Sequence, residues 1–293
     1  MTKNFTALAM VAFAALLPAT CICAQQQVSA PRADGHTTPL LVYAAQGKGG
    51  GCSPLAVISH GAGGSENGYR YLAEAMARLG YTAVVMGHRE SGLEALGADV
   101  RQYGIMPGLR NLVADKNAEQ ARLLDVDAAL KWADAQCKAP FRVLLGHSMG
   151  AETVMLEAGA KNIVGVTSPP AGQSRFDAYV ALSPEGTGVV FTDGAWGGIT
   201  KPMLILTGTR DQSLQGGPEA RQIPWHNLPP SAEKCHWMGV IDGATHMNFA
   251  GVGPGSDSVK PLVTQTIAEF LDGVQKGGCA APAPAHGVVY SVK

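Results

Sequence analysis

Short apolar runs recur along the 293-residue chain, separated by stretches whose apolar positions fall at helical spacing. The runs are Leu40–Ala44, Leu55–Ser59, Tyr81–Met86, Phe141–Leu145, Ala178–Leu182, Met203–Thr207 and Trp237–Ile241. Runs this short, bounded by Gly, Pro and Asp, predict strands buried on both faces of a parallel sheet. Between them, Leu72, Ala75, Met76 and Leu79 mark one helix face and Gly80 its stop; Leu123, Val126, Leu130 and Ala133 mark a second. Val263, Ile267, Phe270 and Val274 mark the last. The alternation predicts an α/β fold with a mostly parallel central sheet of about eight strands and helices on both faces. Ligands in such sheets bind beyond the carboxyl ends of the strands.

Two segments stand outside the alternation. Ser91 to Lys116 reads as a loop or small excursion over the top of the sheet, and 277–293, with its Ala-Pro run, as an extended surface tail. The connection from Leu182 to Met203 spans only about twenty residues, too few for a large cap domain. One catalytic-size domain over 31–276 is expected.

Composition narrows the setting. With 46% hydrophobic residues there is enough apolar matter for one large core, and a net charge of −1 without a basic stripe argues against nucleic acid. Lys3 followed by the apolar stretch Phe5 to Leu17 and Pro18 reads as a signal peptide over 1–24, too short for stable membrane insertion. Cleavage is expected after Ala24, with Ala30 as the alternative, and the product as a secreted or periplasmic protein. A lipid anchor at Cys21 or Cys23 is disfavoured because neither follows a good small-residue lipobox.

Cys52, Cys137, Cys235 and Cys279 remain, and an even number after export suggests two disulfides. Cys52 and Cys137 both lie just before apolar strands, at the same lower sheet edge. Cys235 precedes the Trp237 strand, and Cys279 follows the last helix, which returns to that edge. The expected pairs are Cys52–Cys137 and Cys235–Cys279.

The chemistry concentrates after strand ends. Phe141–Leu145 runs into Gly146-His147-Ser148-Met149-Gly150 and then a helix, the strand–turn–helix setting of a nucleophile elbow. A serine hydroxyl needs a base and the base an orienting carboxylate. Asp211 follows Met203–Thr207, and His246 follows Trp237–Ile241; Glu185 and Asp242 compete for the acid role. The chain order Ser148, Asp211, His246 is that of α/β-hydrolases. Val57-Ile58-Ser59-His60-Gly61-Ala62-Gly63-Gly64 empties a strand into a glycine-rich loop, which offers the Ala62 amide, with Gly61 or Gly63 as the alternatives, as an oxyanion donor beside that of Met149. Trp196, Trp225 and Met247 are candidate pocket walls. His60, His88 and His147 read as loop-ordering residues, and no histidine shows metal-ligand spacing, so neither metal nor cofactor is expected.

SHGAGGS at Ser59–Ser65, GHRESG at Gly87–Gly92, GHSMG, LTGTRD and GATHMNF at Gly243–Phe249 together resemble the α/β-hydrolase superfamily. Within it the chain is similar to secreted serine esterases of the platelet-activating-factor acetylhydrolase-like and predicted dienelactone hydrolase branch. Dienelactone hydrolases proper use a cysteine nucleophile, whereas Ser148 stands here. The resemblance therefore implies hydrolysis of small-molecule or polymeric carboxylic esters. An amidase or peptidase using the same triad, or a secreted binding protein without catalysis, are the alternatives.

Overall fold

A computed structural model describes residues 25–47, 50–167, 175–231, 235–280 and 282–293. The expected signal segment, with Cys21 and Cys23, lies outside the described residues. The sheet comprises β1 (Gln25–Pro31), β2 (Thr37–Tyr43), β3 (Leu55–Ser59), β4 (Thr82–Met86), β5 (Arg142–His147), β6 (Ala178–Leu182), β7 (Met203–Arg210), β8 (His236–Thr245) and β9 (Val288–Val292). Its order is β1-β2-β4-β3-β5-β6-β7-β8-β9, with β3 to β8 mutually parallel and β1, β2 and β9 antiparallel to their neighbours. It is the expected α/β architecture, one strand larger than expected.

Strand side chains alternate between two cores, as a period of two requires. Leu55, Val57, Leu144, Tyr179 and Ile205 face α4 (Lys116–Gln136) and α5 (Met149–Glu157). Ala56, Ile58, Leu145, Val180 and Leu204 face α1 (Arg70–Arg78) and α8 (Ser256–Gln275). Every residue of α5 is buried. That helix carries no amphipathic stripe because it is enclosed on all sides.

Three expectations change. The polar run Gln25-Gln26-Gln27 opens β1, an edge strand that is mostly exposed and so carries no continuous apolar run. The tail expected to lie as an extended peptide ends in β9, which covers the open side of β8 in a register pairing Gly239 with Tyr290. The excursion after Ser91 is a helical hairpin, α2 (Leu93–Tyr103) and α3 (Ile105–Val113). The two helices approach so closely that a Cβ on Gly108 would lie 2.7 Å from the Asp99 carbonyl. No residue of α2 is buried, so sequence periodicity had little core face to reveal. Two short helices complete the chain, α6 (Ile223–Asn227) and α7 (His246–Phe249).

Among the described residues no helix is long and apolar enough to cross a membrane. Cys52 is bonded to Cys137 with Cα atoms 5.6 Å apart, and Cys235 to Cys279 at 5.0 Å. They close segments of 85 and 44 residues across the lower sheet edge. Replacing either pair by serine is expected to cost about 2–4 kcal/mol of unfolding free energy. Urea denaturation of Cys52→Ser/Cys137→Ser and Cys235→Ser/Cys279→Ser variants checks this; unchanged midpoints contradict it.

Candidate active site

Ser148 occupies a one-residue turn between β5 and α5, with φ 56° and ψ −124°. A side chain in that region of the map is strained by about 1–3 kcal/mol and persists only where its surroundings over-determine it. Here they do. The Ser148 amide donates to the Leu182 carbonyl at 3.0 Å, and the buried α5 begins at the next residue. The flanking glycines are steric requirements, since a Cβ on Gly146 would fall on the Gly150 backbone and one on Gly150 would fall on the Ser59 carbonyl.

His246 opens α7, which is fixed by a capping box between Thr245 and Asn248. Its Nε2 lies 3.0 Å from Ser148 Oγ, and its Nδ1 3.1 Å from Asp211 Oδ1. The two contacts on opposite ring nitrogens assign one tautomer: Nδ1–H donates toward the carboxylate, and Nε2 accepts the serine hydroxyl. Asp211 follows the bulged end of β7 and is fully buried. Thr207 Oγ1 donates to its Oδ2 at 2.9 Å, and Ser183 Oγ to its Oδ1 at 2.8 Å. Ser183 Oγ also sits 2.6 Å from His246 Nδ1, where it accepts part of the same N–H. Arg221 Nε faces Asp211 Oδ1 at 3.2 Å as a charge neighbour without hydrogen-bond alignment. Burial alone would raise the Asp211 carboxyl, but the His246 hydrogen bond and the Arg221 charge outweigh it and hold the group below its ordinary range. Asp211 is therefore ionised.

The glycine-rich loop lies against the elbow, with Gly61 packed on Ser148 and His147. Its amides are mostly committed: Gly61 donates to Tyr69 Oη, Gly63 to the Ser91 carbonyl and Gly64 to the Gly61 carbonyl. Among the described residues the Ala62 and Met149 amides donate to no protein acceptor. Tyr69 Oη donates to His147 Nδ1 at 2.7 Å, and His147 Nε2 donates to the His246 carbonyl at 3.0 Å. Burial pushes the Tyr69 phenol up to about 12 and the His147 imidazole well below its usual value, so both act as neutral hydrogen-bonding groups. Behind the loop, His88 joins Ser59 Oγ to Asp125, and the His88 amide donates to His60 Nε2 at 3.0 Å. Arg122 Nη1 donates to the His60 carbonyl at 2.7 Å. The histidines read as loop-ordering residues are in these positions.

The cleft beside Ser148 and His246 encloses about 190 Å³. Its apolar side is Met106, Leu109 and Val113 of α3 with Leu214, and its polar side is Glu152, Glu185 and Arg221. None of the proposed pocket walls lines it. Trp196 is fully buried, donating to Met155 Sδ and packing on Phe191. Trp225 is buried beneath Lys293, at the far end of the sheet. Met247 is half exposed on the outside of α7. The two tryptophans pack inward, as part of the apolar core on the α4/α5 face of the sheet. Of the competing acids, Glu185 pairs with Arg221 and accepts from Ser213 and the Leu214 amide, while Asp242 accepts from Thr209 on the surface. Ser183, Tyr69, Arg221 and Glu152 had not been singled out. Only Ser183 carried a signal, a hydroxyl placed directly after a strand as Ser148 is.

No protein-family model matches the chain, and a search of curated proteins finds no match. Solved structures do match. The Pyrococcus furiosus esterase Pf2001 is similar at 18% identity and a TM-score of 0.55, over 85% of this chain and 92% of its own. A proposed dienelactone hydrolase from Klebsiella pneumoniae subsp. pneumoniae superimposes with a TM-score of 0.64, and Est1E from Butyrivibrio proteoclasticus with 0.54. Both are 18% identical and match 85% of this chain and 99% of theirs. The fold is that of the α/β-hydrolases.

One group near the cleft has a thermodynamic consequence. Glu119 of α4 is fully buried beside Glu152 and Arg122, and burial raises its carboxyl from 4.5 to about 7. The unfolded chain releases this proton near 4.5 and the folded chain near 7, so the native state binds more protons in between. Stability contributed by the protonated group is complete below 4.5 and is lost as pH rises through about 7. Relative to Glu119→Gln, the wild type is expected to lose stability steadily over that interval. Chemical denaturation of both proteins from pH 4.5 to 8 measures the difference; a pH-independent gap contradicts it.

Proposed function

We propose that the protein is an exported carboxylic ester hydrolase that works through an acyl-enzyme on Ser148. The observation carrying this reading is the run of contacts from Ser148 Oγ to His246 Nε2 at 3.0 Å and from His246 Nδ1 to Asp211 at 3.1 Å. Fold likeness to proteins named as esterases supports it.

His246 takes the Ser148 proton as the hydroxyl attacks the ester carbonyl. The tetrahedral oxyanion is stabilised by the two uncommitted amides, Ala62 and Met149. His246 then protonates the leaving alcohol. Water enters, gives its proton to His246 and attacks the acyl-enzyme, and collapse returns the proton to Ser148 with release of the acid. Asp211 keeps the imidazole in its reactive tautomer and stabilises its charged form without taking the proton. Ser183 and Thr207 hold Asp211, while Tyr69 and His147 hold the backbone from which His246 projects. Among the described residues no large cap covers the cleft, so the reading includes bulky or polymeric esters as well as small ones.

Export is part of the same reading. Two disulfides favour an oxidising compartment. Cleavage after Ala24 would leave the sheet whole, whereas cleavage after Ala30 would remove most of β1, including the buried Ala30 that pairs with Thr38.

Ser148→Ala is expected to abolish both fluorophosphonate labelling and hydrolysis of nitrophenyl acetate. Wild-type protein that neither labels nor hydrolyses that ester would favour the non-catalytic alternative, and faster cleavage of a matched anilide would favour an amidase. Asp211→Asn is expected to lower kcat by roughly three to four orders of magnitude, by analogy with the loss of tautomer control in other triads. Ser183→Ala should cost about tenfold, as the loss of a supporting partner does in other sites. Steady-state kinetics on the purified variants gives both values.

A further inference from the structure

Large apolar side chains left on the surface gather at the mouth of the cleft. Among the described residues nine are exposed, and five of them stand there. Tyr103, Ile105 and Met106, exposed to 48%, 73% and 56%, form the tip of the α2–α3 hairpin. Met247 and Val252, each 50% exposed, follow the base His246, and the Val252 amide donates to the Met247 carbonyl at 3.2 Å. Single exposed apolar residues are ordinary, but a group of them beside a cleft marks a docking surface. The two helices meet at Gly104 alone, whose φ of 87° turns the chain without a loop, and residues 101–107 are all exposed. Met106 belongs to both surfaces, because it also lines the cleft with Leu109 and Val113, one and two turns further along α3. Arg110 Nη2 donates to the carbonyl of Leu214, which lines the same cleft, and so ties the hairpin to it. No acid lies between Asp99 and Asp115; the charges on this stretch are Arg101 and Arg110, one on either side of the apolar tip.

Resting on the esterase reading, we propose that this tip docks the protein on a phospholipid surface, and that its substrates are ester-bearing lipids held there. A narrow tip of aliphatic side chains enters a phase whose molecules can part around it. Ile105 and Met106 reach the acyl chains, and Tyr103 sits at the headgroup boundary, where an aromatic ring with a polar end is stable. Arg101 and Arg110 face the headgroup phosphates. Because Met106 continues into the cleft, a lipid entering at the tip passes toward Ser148 along an apolar wall. The same features disfavour other occupants. A solid polyester does not part around a projecting tip, and a second copy docked tip to tip would set arginine against arginine.

Co-sedimentation with vesicles of mixed phosphatidylcholine and phosphatidylglycerol tests the docking directly. The wild type should bind. Ile105→Ser should weaken binding by about tenfold, the scale of one aliphatic side chain returned to water, and Ile105→Asp should weaken it further. Leu79→Ser, an exposed position at the opposite end of the sheet, should bind as the wild type does. Ile105 does not line the cleft, so both of its variants should hydrolyse dissolved nitrophenyl acetate at the wild-type rate, which certifies their fold and triad. Their hydrolysis of tributyrin emulsified with the same phospholipids should fall in step with the lost binding. A wild type that hydrolyses nitrophenyl acetate but does not bind vesicles, or binds them no better than Ile105→Asp, would overturn the proposal alone. Adsorption to a polyester film in place of vesicles, or a dimer that Ile105→Asp dissociates, would overturn it in favour of that occupant. Vesicle binding without hydrolysis of either ester would overturn the esterase reading and with it the lipid-ester substrate.

Discussion

The site depends on forcing the chain through a left-handed turn at a residue that has a side chain. Ser148 projects its hydroxyl from the sheet only because β5 ends and α5 begins without an intervening loop. That junction is possible only if Gly150 can press on the Ser59 carbonyl of the adjacent strand and Gly146 on the first turn of the helix. The burial of all nine residues of α5 opposes the strain. Core packing and site geometry are thus one constraint. Changing either glycine would move the helix, the neighbouring strand and the uncommitted Met149 amide together.

Strain recurs around this point. The non-glycine residues with left-handed backbone among the described ones are Tyr69, Ser148 and Ser183. Each contributes a hydroxyl to the site: Ser148 to His246, Ser183 to Asp211 and His246, Tyr69 to His147. Tyr69 and Ser183 lie in segments that follow β3 and β6, the strands on either side of β5. Left-handed residues at these positions fold the chain back over the strand ends, so that short hydroxyl side chains can reach the imidazole from both flanks. Electrostatics follow from the same compactness. Asp211 is ionised because its buried charge meets an imidazole, a guanidinium and two hydroxyls, while Glu119 and Glu152, buried against one another, are pushed toward the neutral form by desolvation.

Much of this was legible before any coordinates. The core strands announced themselves as apolar runs, and their ends located Ser148, Asp211 and His246, because residues just beyond parallel strands share one rim. The Ala62 loop was legible for the same reason. Elements with little buried surface were not. β1 opens with three glutamines, β9 lies in a tail rich in Ala and Pro, and α2 has no fully buried residue, so none carries a strong period. The tryptophans misled because a large aromatic near the rim in sequence can equally turn into the core. Trp196 and Trp225 both do so.

The amino-acid sequence by itself determined the layered α/β architecture and the placement of Ser148, His246 and Asp211 at one rim of the sheet, since periodicity and strand-end placement are local properties. Only the tertiary structure decided what supports and shapes the site. Ser183, Arg221 and Tyr69 come from segments far apart in the chain, as does the wall built from α3. Their roles depend on distances of about 3 Å that no spacing encodes. The buried pair of Glu119 and Glu152 is equally a product of packing: each carboxyl is ordinary on its own helix until α4 and α5 close on one another and leave the two to share a proton.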